Sequence, residues 1–101
     1  MVKHVILWTL KDEYSGAQID EIRIGIKEGL EGLKGKIPGL LDIKVQTENI
    51  LNSSNADLML VSTFKDEAAL KAYSINPLHV AVANEKVRPF TAVRTCIDYE
   101  I

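Results

Sequence analysis

Val2-Lys3-His4-Val5-Ile6-Leu7-Trp8-Thr9-Leu10-Lys11 is the stretch on which the fold turns. Extended backbone alternates its side chains, so Val2, His4, Ile6, Trp8 and Leu10 share one face and Lys3, Val5, Leu7, Thr9 and Lys11 the other. Both faces are apolar at the middle. A strand of that kind must be covered on two sides, and the rest of the chain has to supply the covers.

The first cover follows directly. Asp12–Tyr14 reads as a turn, and Ser15-Gly16-Ala17-Gln18 has the spacing of a capping box, so a helix is predicted to start there. Ile19, Ile22, Ile26, Leu30 and Leu33 recur every three or four residues and make one stripe suited to lie on a sheet. Gly25, Gly29, Gly32 and Gly35 fall beside that stripe. Each costs about 1 kcal/mol relative to alanine inside a helix, but together they permit another element to approach closely. Ile37-Pro38-Gly39 is read as the end of the helix.

Residues 40–49 alternate Leu41, Ile43 and Val45 with Asp42, Lys44 and Gln46, the pattern of a strand with one wet face. A polar turn spans Asn49–Asn55, with Asn52-Ser53-Ser54-Asn55 at its end. Ala56 to Lys65 is nearly continuous in apolar residues and reads as a central strand. Asp66 can cap a short helix through Tyr73, broken before Pro77 because the residue preceding proline resists helical geometry. A second short helix follows from Asn76, ended by Arg88-Pro89, and residues 90–99 form the last strand.

The order β-α-β-β-α-α-β is that of a ferredoxin-like split βαβ fold of the α+β class: a four-stranded antiparallel sheet with its helices on one face. The helices leave Val5, Leu7 and their neighbours uncovered, more apolar surface than a monomer usually exposes. A second copy packed sheet to sheet is the simplest cover, so a homodimer through the sheet face is expected. With 101 residues the chain is expected to form a single domain, 1–101, that buries roughly 65% of its unfolded surface.

Composition narrows the classes of function. Hydrophobic residues make up 47% and charged residues 26%, and the net charge is −2, so no basic field invites nucleic acid. The opening apolar run is too short for a membrane span or a signal peptide, and a cytoplasmic location is expected. Cys96 is the sole cysteine, which rules out an internal disulfide, and no histidine pair or further cysteine suggests a metal cluster; no metal and no cofactor are expected. Cys96 itself reads as a small buried apolar residue, and Arg94 and Asp98 as an ion pair on one face of the last strand.

One side chain stands out chemically. Asn76 can cap the second short helix and Pro77 fits its first position, which puts His79 within the first turn. The positive end of the helix dipole disfavours a second positive charge there, so the imidazole tends towards the neutral form that can act as a base. The competing structural role is that of a helix-terminal histidine bonded only to backbone or solvent.

Across essentially the whole length the chain resembles the stress-responsive dimeric α/β-barrel domain family. The marks are Val2-Lys3-His4-Val5-Ile6-Leu7-Trp8, Ala56-Asp57-Leu58-Met59-Leu60-Val61 with Phe64, the spacing from Tyr73 through Pro77 to His79, and Val87-Arg88-Pro89-Phe90. The resemblance implies a dimeric α/β barrel. One branch of the family includes a plant polyketide cyclase that closes a ring by aldol condensation without a cofactor, using a tyrosine and a histidine between sheet and helices. The chain looks like that branch at His4, Tyr73 and His79 and departs from it at Asn76, Leu58 and Arg23.

By that likeness His79 would be the base and Tyr73 the hydrogen-bond donor of an enolising or ring-closing step. His4, Trp8, Ile22, Ile26, Leu60, Val80, Val82, Phe90 and Val93 would wall a pocket for a small hydrophobic or aromatic molecule. The alternative is a non-catalytic dimeric module that binds a ligand or serves in a stress response through its surface. A monooxygenase of the related cofactor-free barrels rests on fold analogy alone.

Overall fold

A computed structural model describes residues 1–101. Strands β1 (Val2–Leu10), β2 (Leu40–Gln46), β3 (Leu58–Phe64) and β4 (Thr91–Glu100) form one antiparallel sheet in the order β2-β3-β1-β4. Helices α1 (Gly16–Glu31), α2 (Glu67–Ile75) and α3 (Pro77–Val82), with a π-helical turn at Ala83–Val87, lie on one face. This is the ferredoxin-like α+β fold. The paired strands β1 and β3 are central, as their apolar runs require.

The caps act where the sequence puts them. Ser15 Oγ accepts from Gln18 N while Gln18 Oε1 accepts from Ser15 N, and Asp66 accepts from Ala69 N. Asn76 Oδ1 accepts from Leu78 N, with Pro77 opening α3. Helix α1 stops earlier than expected, at Glu31, with Gly32 as its C-cap, because the glycines that follow give the last turn little propensity to continue. Its apolar stripe is buried from Ile22 through Ile26 and Leu30 to Leu33. Gly29 lets the neighbouring helical segment close on α1: a Cβ there would sit 2.9 Å from Val82 Cγ1.

Inward-facing Val2, Ile6 and Trp8 of β1 meet Leu58, Leu60 and Phe64 of β3 and Ile43 and Val45 of β2, and α1 closes the core from above. Leu41 departs from the expected alternation. A bulge between Leu40 and Asp42 hands the inward place opposite Phe64 to Leu40 and leaves Leu41 exposed. Edge strand β2 is closed off by α1: Glu31 Oε2 accepts from Val45 N at 2.9 Å, and Lys27 Nζ donates to Val45 O at 2.8 Å and to Glu31 Oε2 at 2.9 Å. Such side-chain cover blunts an edge that would otherwise pair with another strand.

Strand β4 has no comparable cover. From Ala92 onward every residue is exposed, and Val93, Ile97 and Tyr99 lie on the open face beside Thr9, Val5 and Lys3. Leu7, Met59 and Val61 continue the same face. Val93 therefore does not belong to the predicted pocket wall: its cross-strand partner is Thr9, so it projects away from the helices, and Trp8 is opposite Arg94 instead. Cys96 is likewise exposed rather than buried, because no helix extends over β4.

Candidate active site

Between the sheet and the α2–α3 pair is a cavity of about 420 Å³. Strand β1 sends in His4, Ile6 and Trp8, β3 Leu60, α1 Leu30, and α2 Leu70, Tyr73 and Ser74. The second helical segment supplies His79, Ala83, Val87 and Arg88, and β4 Thr91 and Arg94. A wider cleft of about 620 Å³ adjoins it along the uncovered β4, sharing His4, Leu70, Ser74 and Arg94.

The three polar residues singled out from sequence meet here. Tyr73 is 1% exposed and stacks against His79, ring centroids 4.1 Å apart and inclined 33°. His4 is 6.3 Å from Tyr73, centroid to centroid, in an edge-on arrangement, and Phe64 braces Tyr73 at 4.9 Å. The Tyr73 hydroxyl is buried without any hydrogen-bond partner. Leaving such a donor unpaired costs about 1–3 kcal/mol. Burial also pushes the phenol well above its ordinary range, so it stays protonated and able to donate.

His79 is half-buried. Its Nδ1 lies 3.3 Å from Ser74 O, and because a carbonyl can only accept, Nδ1 carries the proton and Nε2 keeps its lone pair. Burial lowers the pKa of the imidazole; the bond to Ser74 opposes this, while Arg88, His4 and Arg94 add to the lowering. The neutral form expected from the helix start is thus favoured chiefly by desolvation.

On the opposite wall, His4 is 7% exposed and its Nδ1 donates to Asp98 Oδ1 at 2.5 Å. Asp98 therefore pairs with His4 and not with Arg94, as the β1–β4 register sets His4 directly across from Asp98. Cys96 Sγ stands 3.7 Å from His4 Nδ1 and 3.6 Å from Asp98 Oδ1. The sequence has no histidine pair and no second cysteine, yet a His, a Cys and an Asp converge here, brought together by strands from opposite ends of the chain.

Of the predicted wall, Trp8 and Leu60 line the cavity. Ile26 is sealed in the core, and Ile22 and Phe90 flank a separate shallow groove, where Phe90 packs on Tyr14 at 6.0 Å. Val80 and Val82 are off the lining; Val82 meets Gly29 instead. Arg23 lies on the far side of α1 near Thr47 and Asn49.

Ala83 and Val87 were missed, although a step of four from His79 reaches each in turn. Their shared face depends on the π-helical turn, closed by Arg88 N donating to Ala83 O at 2.8 Å, which also keeps Arg88 on the cavity side. Ile6 and Arg94 were readable from strand parity with His4 and Asp98.

A family model described as Stress responsive A/B Barrel Domain matches residues 2–101. A dimeric protein of unknown function with a ferredoxin-like fold from Bacteroides fragilis is 29% identical, with 99% of this chain and 95% of that chain covered and a TM-score of 0.89. A dimeric ferredoxin-like protein of unknown function from Thermobifida fusca is 21% identical over 99% of this chain and 90% of its own, with a TM-score of 0.78. The hydroxynitrile lyase from Passiflora edulis has the same fold at 21% identity, covering 99% and 92% of the two chains with a TM-score of 0.73. No curated protein matches the chain.

Proposed function

The chain belongs to the stress responsive A/B barrel domain family, and from that premise we propose a homodimeric, cofactor-independent protein that binds a small hydrophobic or aromatic molecule and enolises it. The observation that carries this reading is Tyr73, whose buried hydroxyl has no partner, with its ring stacked on that of His79 in the wall of one cavity.

In the proposed step, His79 Nε2 removes a proton from a carbon next to a carbonyl. The electron pair left behind moves into the new C=C bond, and the carbonyl oxygen gains the negative charge. Tyr73, kept protonated by its burial, donates to that oxygen once the entering substrate parts the side chains that seal its hydroxyl, and Arg88 and Arg94 add positive potential around the cavity. His79 then returns the proton to carbon, or the enolate carbon attacks a second carbonyl in the same molecule, the first carbonyl re-forms, and the new alkoxide takes the proton from His79. General-base catalysis of this kind is worth about 10²- to 10⁴-fold, enough for a substrate whose C–H is already acidic, such as a β-diketone.

The dimer reading draws on the exposed apolar residues of the open sheet face, Leu7, Val93, Ile97 and Tyr99, and on the dimeric state of the Bacteroides and Thermobifida relatives. Packing two such sheets would close the barrel and leave the cavity, on the helix side of each sheet, accessible.

The test is hydrogen–deuterium exchange at the central carbon of 1-phenylbutane-1,3-dione, followed by NMR. The protein should accelerate exchange, and both His79→Ala and Tyr73→Phe should reduce it towards the uncatalysed rate. Equal rates for the protein and its His79→Ala variant would reject the enzymic reading. Saturable binding without exchange would leave a ligand-binding module.

A further inference from the structure

The cluster of His4, Cys96 and Asp98 lies on the helix-facing side of the sheet, where the adjoining cleft opens beside β4. It takes no part in the enolising step, and it combines an imidazole nitrogen, a sulfur and a carboxylate oxygen within 4.8 Å of one another. In the pattern of the cleft, Glu67 and Glu100 are balanced by Lys71 and Arg94, so the charge of the cluster itself decides what binds.

The distances can be compared with those of a known kind of coordination. Around a tetrahedral zinc ion, with Zn–S of about 2.3 Å and Zn–N or Zn–O of about 2.0–2.1 Å, a sulfur and a nitrogen or oxygen ligand stand roughly 3.6 Å apart. The Cys96 sulfur is 3.7 Å from His4 Nδ1 and 3.6 Å from Asp98 Oδ1, matching both edges. The third edge, His4 to Asp98, is 2.5 Å because a proton now occupies it, and it has to widen to roughly 3.3 Å when a cation replaces that proton. The Asp98 side chain is 44% exposed, so a small rotation accomplishes this without moving the core.

We propose that His4, Cys96 and Asp98 form a three-ligand site for a borderline-soft divalent cation of the zinc class, leaving one coordination position open towards the cleft. The donor set suits that class, since thiolate and imidazole disfavour magnesium and calcium. Binding exchanges a proton for the metal: the Cys96 thiol proton leaves to solvent, the His4 proton shifts from Nδ1 to Nε2 so that the neutral imidazole offers Nδ1, and no oxidant is needed. Thiolate and carboxylate then neutralise the two charges of the ion.

Cobalt(II) reports on such a site, because a cobalt–thiolate bond gives a charge-transfer absorption that nitrogen and oxygen ligands do not. Titration of the purified chain with cobalt(II), under a non-thiol reductant, should produce this band at one ion per chain, and zinc(II) should abolish it by displacement. Cys96→Ala should remove the band. Asp98→Asn, which preserves shape, should weaken cobalt affinity roughly tenfold or more, since even an outer-shell partner of a metal ligand is worth about 10- to 100-fold. Tyr73→Phe and His79→Ala should leave metal binding as it is, which separates this result from the fate of the enolising reaction. Cys96 is exposed, so its replacement is not expected to prevent folding, and circular dichroism checks this. Absence of the band in the unaltered protein, its persistence in Cys96→Ala, or unchanged affinity in Asp98→Asn would each overturn the proposal.

Discussion

Tyr73 and His79 stack with their rings inclined by 33° and centroids 4.1 Å apart, on two short helices separated by the single cap residue Asn76. Neither ring could hold that position alone. Tyr73 is braced from behind by Phe64, and His79 is tethered by its Nδ1–H to Ser74 O, so the break at Asn76-Pro77 sets the angle at which they meet.

The Tyr73 hydroxyl carries a buried donor with no acceptor. Tyr73→Phe should therefore leave stability unchanged or raise it by up to about 1–3 kcal/mol while impairing the proposed chemistry. In a domain of this size about 1 kcal/mol corresponds to a Tm change of about 4–8 °C, within reach of calorimetry. A clear loss of Tm would mean that the hydroxyl does have a partner.

His79 should titrate below the ordinary histidine value of 6.5, because protonation works against burial and against Arg88, His4 and Arg94. The folded protein then binds fewer protons than the unfolded chain at mildly acidic pH. Stability should fall as pH drops through 6.5 and on through the lowered folded-state midpoint, below which the loss is complete. The imidazole Cε1 proton followed by NMR gives the midpoint directly. A value at or above 6.5 would contradict the desolvated environment, and Arg88→Ala should move it upward.

Glu31 satisfies the Val45 amide on the edge of β2. Burial pulls its carboxyl upward, but the bonds from Val45 and Lys27 outweigh this and hold it below its ordinary value of 4.5. The associated stability is present above that value and is lost as pH falls through the lower folded-state pKa. Glu31→Ala should cost about 1–3 kcal/mol by denaturant unfolding, since Val45 is wholly buried. Amide exchange at Val45 should accelerate as well; unaltered protection there would show that the bond contributes nothing.

Gly35 and Gly39 both have φ of 80°, yet their surroundings differ. A Cβ at Gly35 meets open space, whereas one at Gly39 would come within 2.5 Å of Ala69 Cβ. Gly35→Ala should cost only the left-handed penalty of about 1–2 kcal/mol. Gly39→Ala should cost visibly more, because α2 has to move off the sheet, and equal midpoints for the two variants would contradict that contact.

Ile97 is 62% exposed at the centre of the open face, opposite Val5. If that face is the dimer contact, Ile97→Lys should halve the mass measured by light scattering and lower Tm, since a desolvated lysine would lie between two sheets. A dimer that tolerates the lysine would move the contact elsewhere.

Much of this was legible in the chain. The alternation in β1, the caps at Ser15, Asp66 and Asn76, and the stripe of Ile22, Ile26 and Leu30 are local patterns whose consequences stay within a few residues, so the fold and the place of His79 at a helix start could be inferred from them. The pocket wall was less legible. Phe90, Val82 and Val93 have the right chemistry but the wrong direction, because a helical register, a π-helical turn and a cross-strand register decide where they project.

By itself, then, the sequence determined which segments become strands and helices, in what order, and that one histidine begins a helix. These follow from propensity, capping and periodicity, which act along the chain. Only the tertiary structure decided that Tyr73 is buried without a partner, that Asp98 belongs to His4 rather than to Arg94, and that Cys96 joins them. The last two relations depend on the pairing of β1 with β4, which brings His4 to Asp98 and Cys96 across 94 and 92 positions of chain, and the first on the packing of α2 against the sheet; no local pattern encodes which side chains such contacts set face to face.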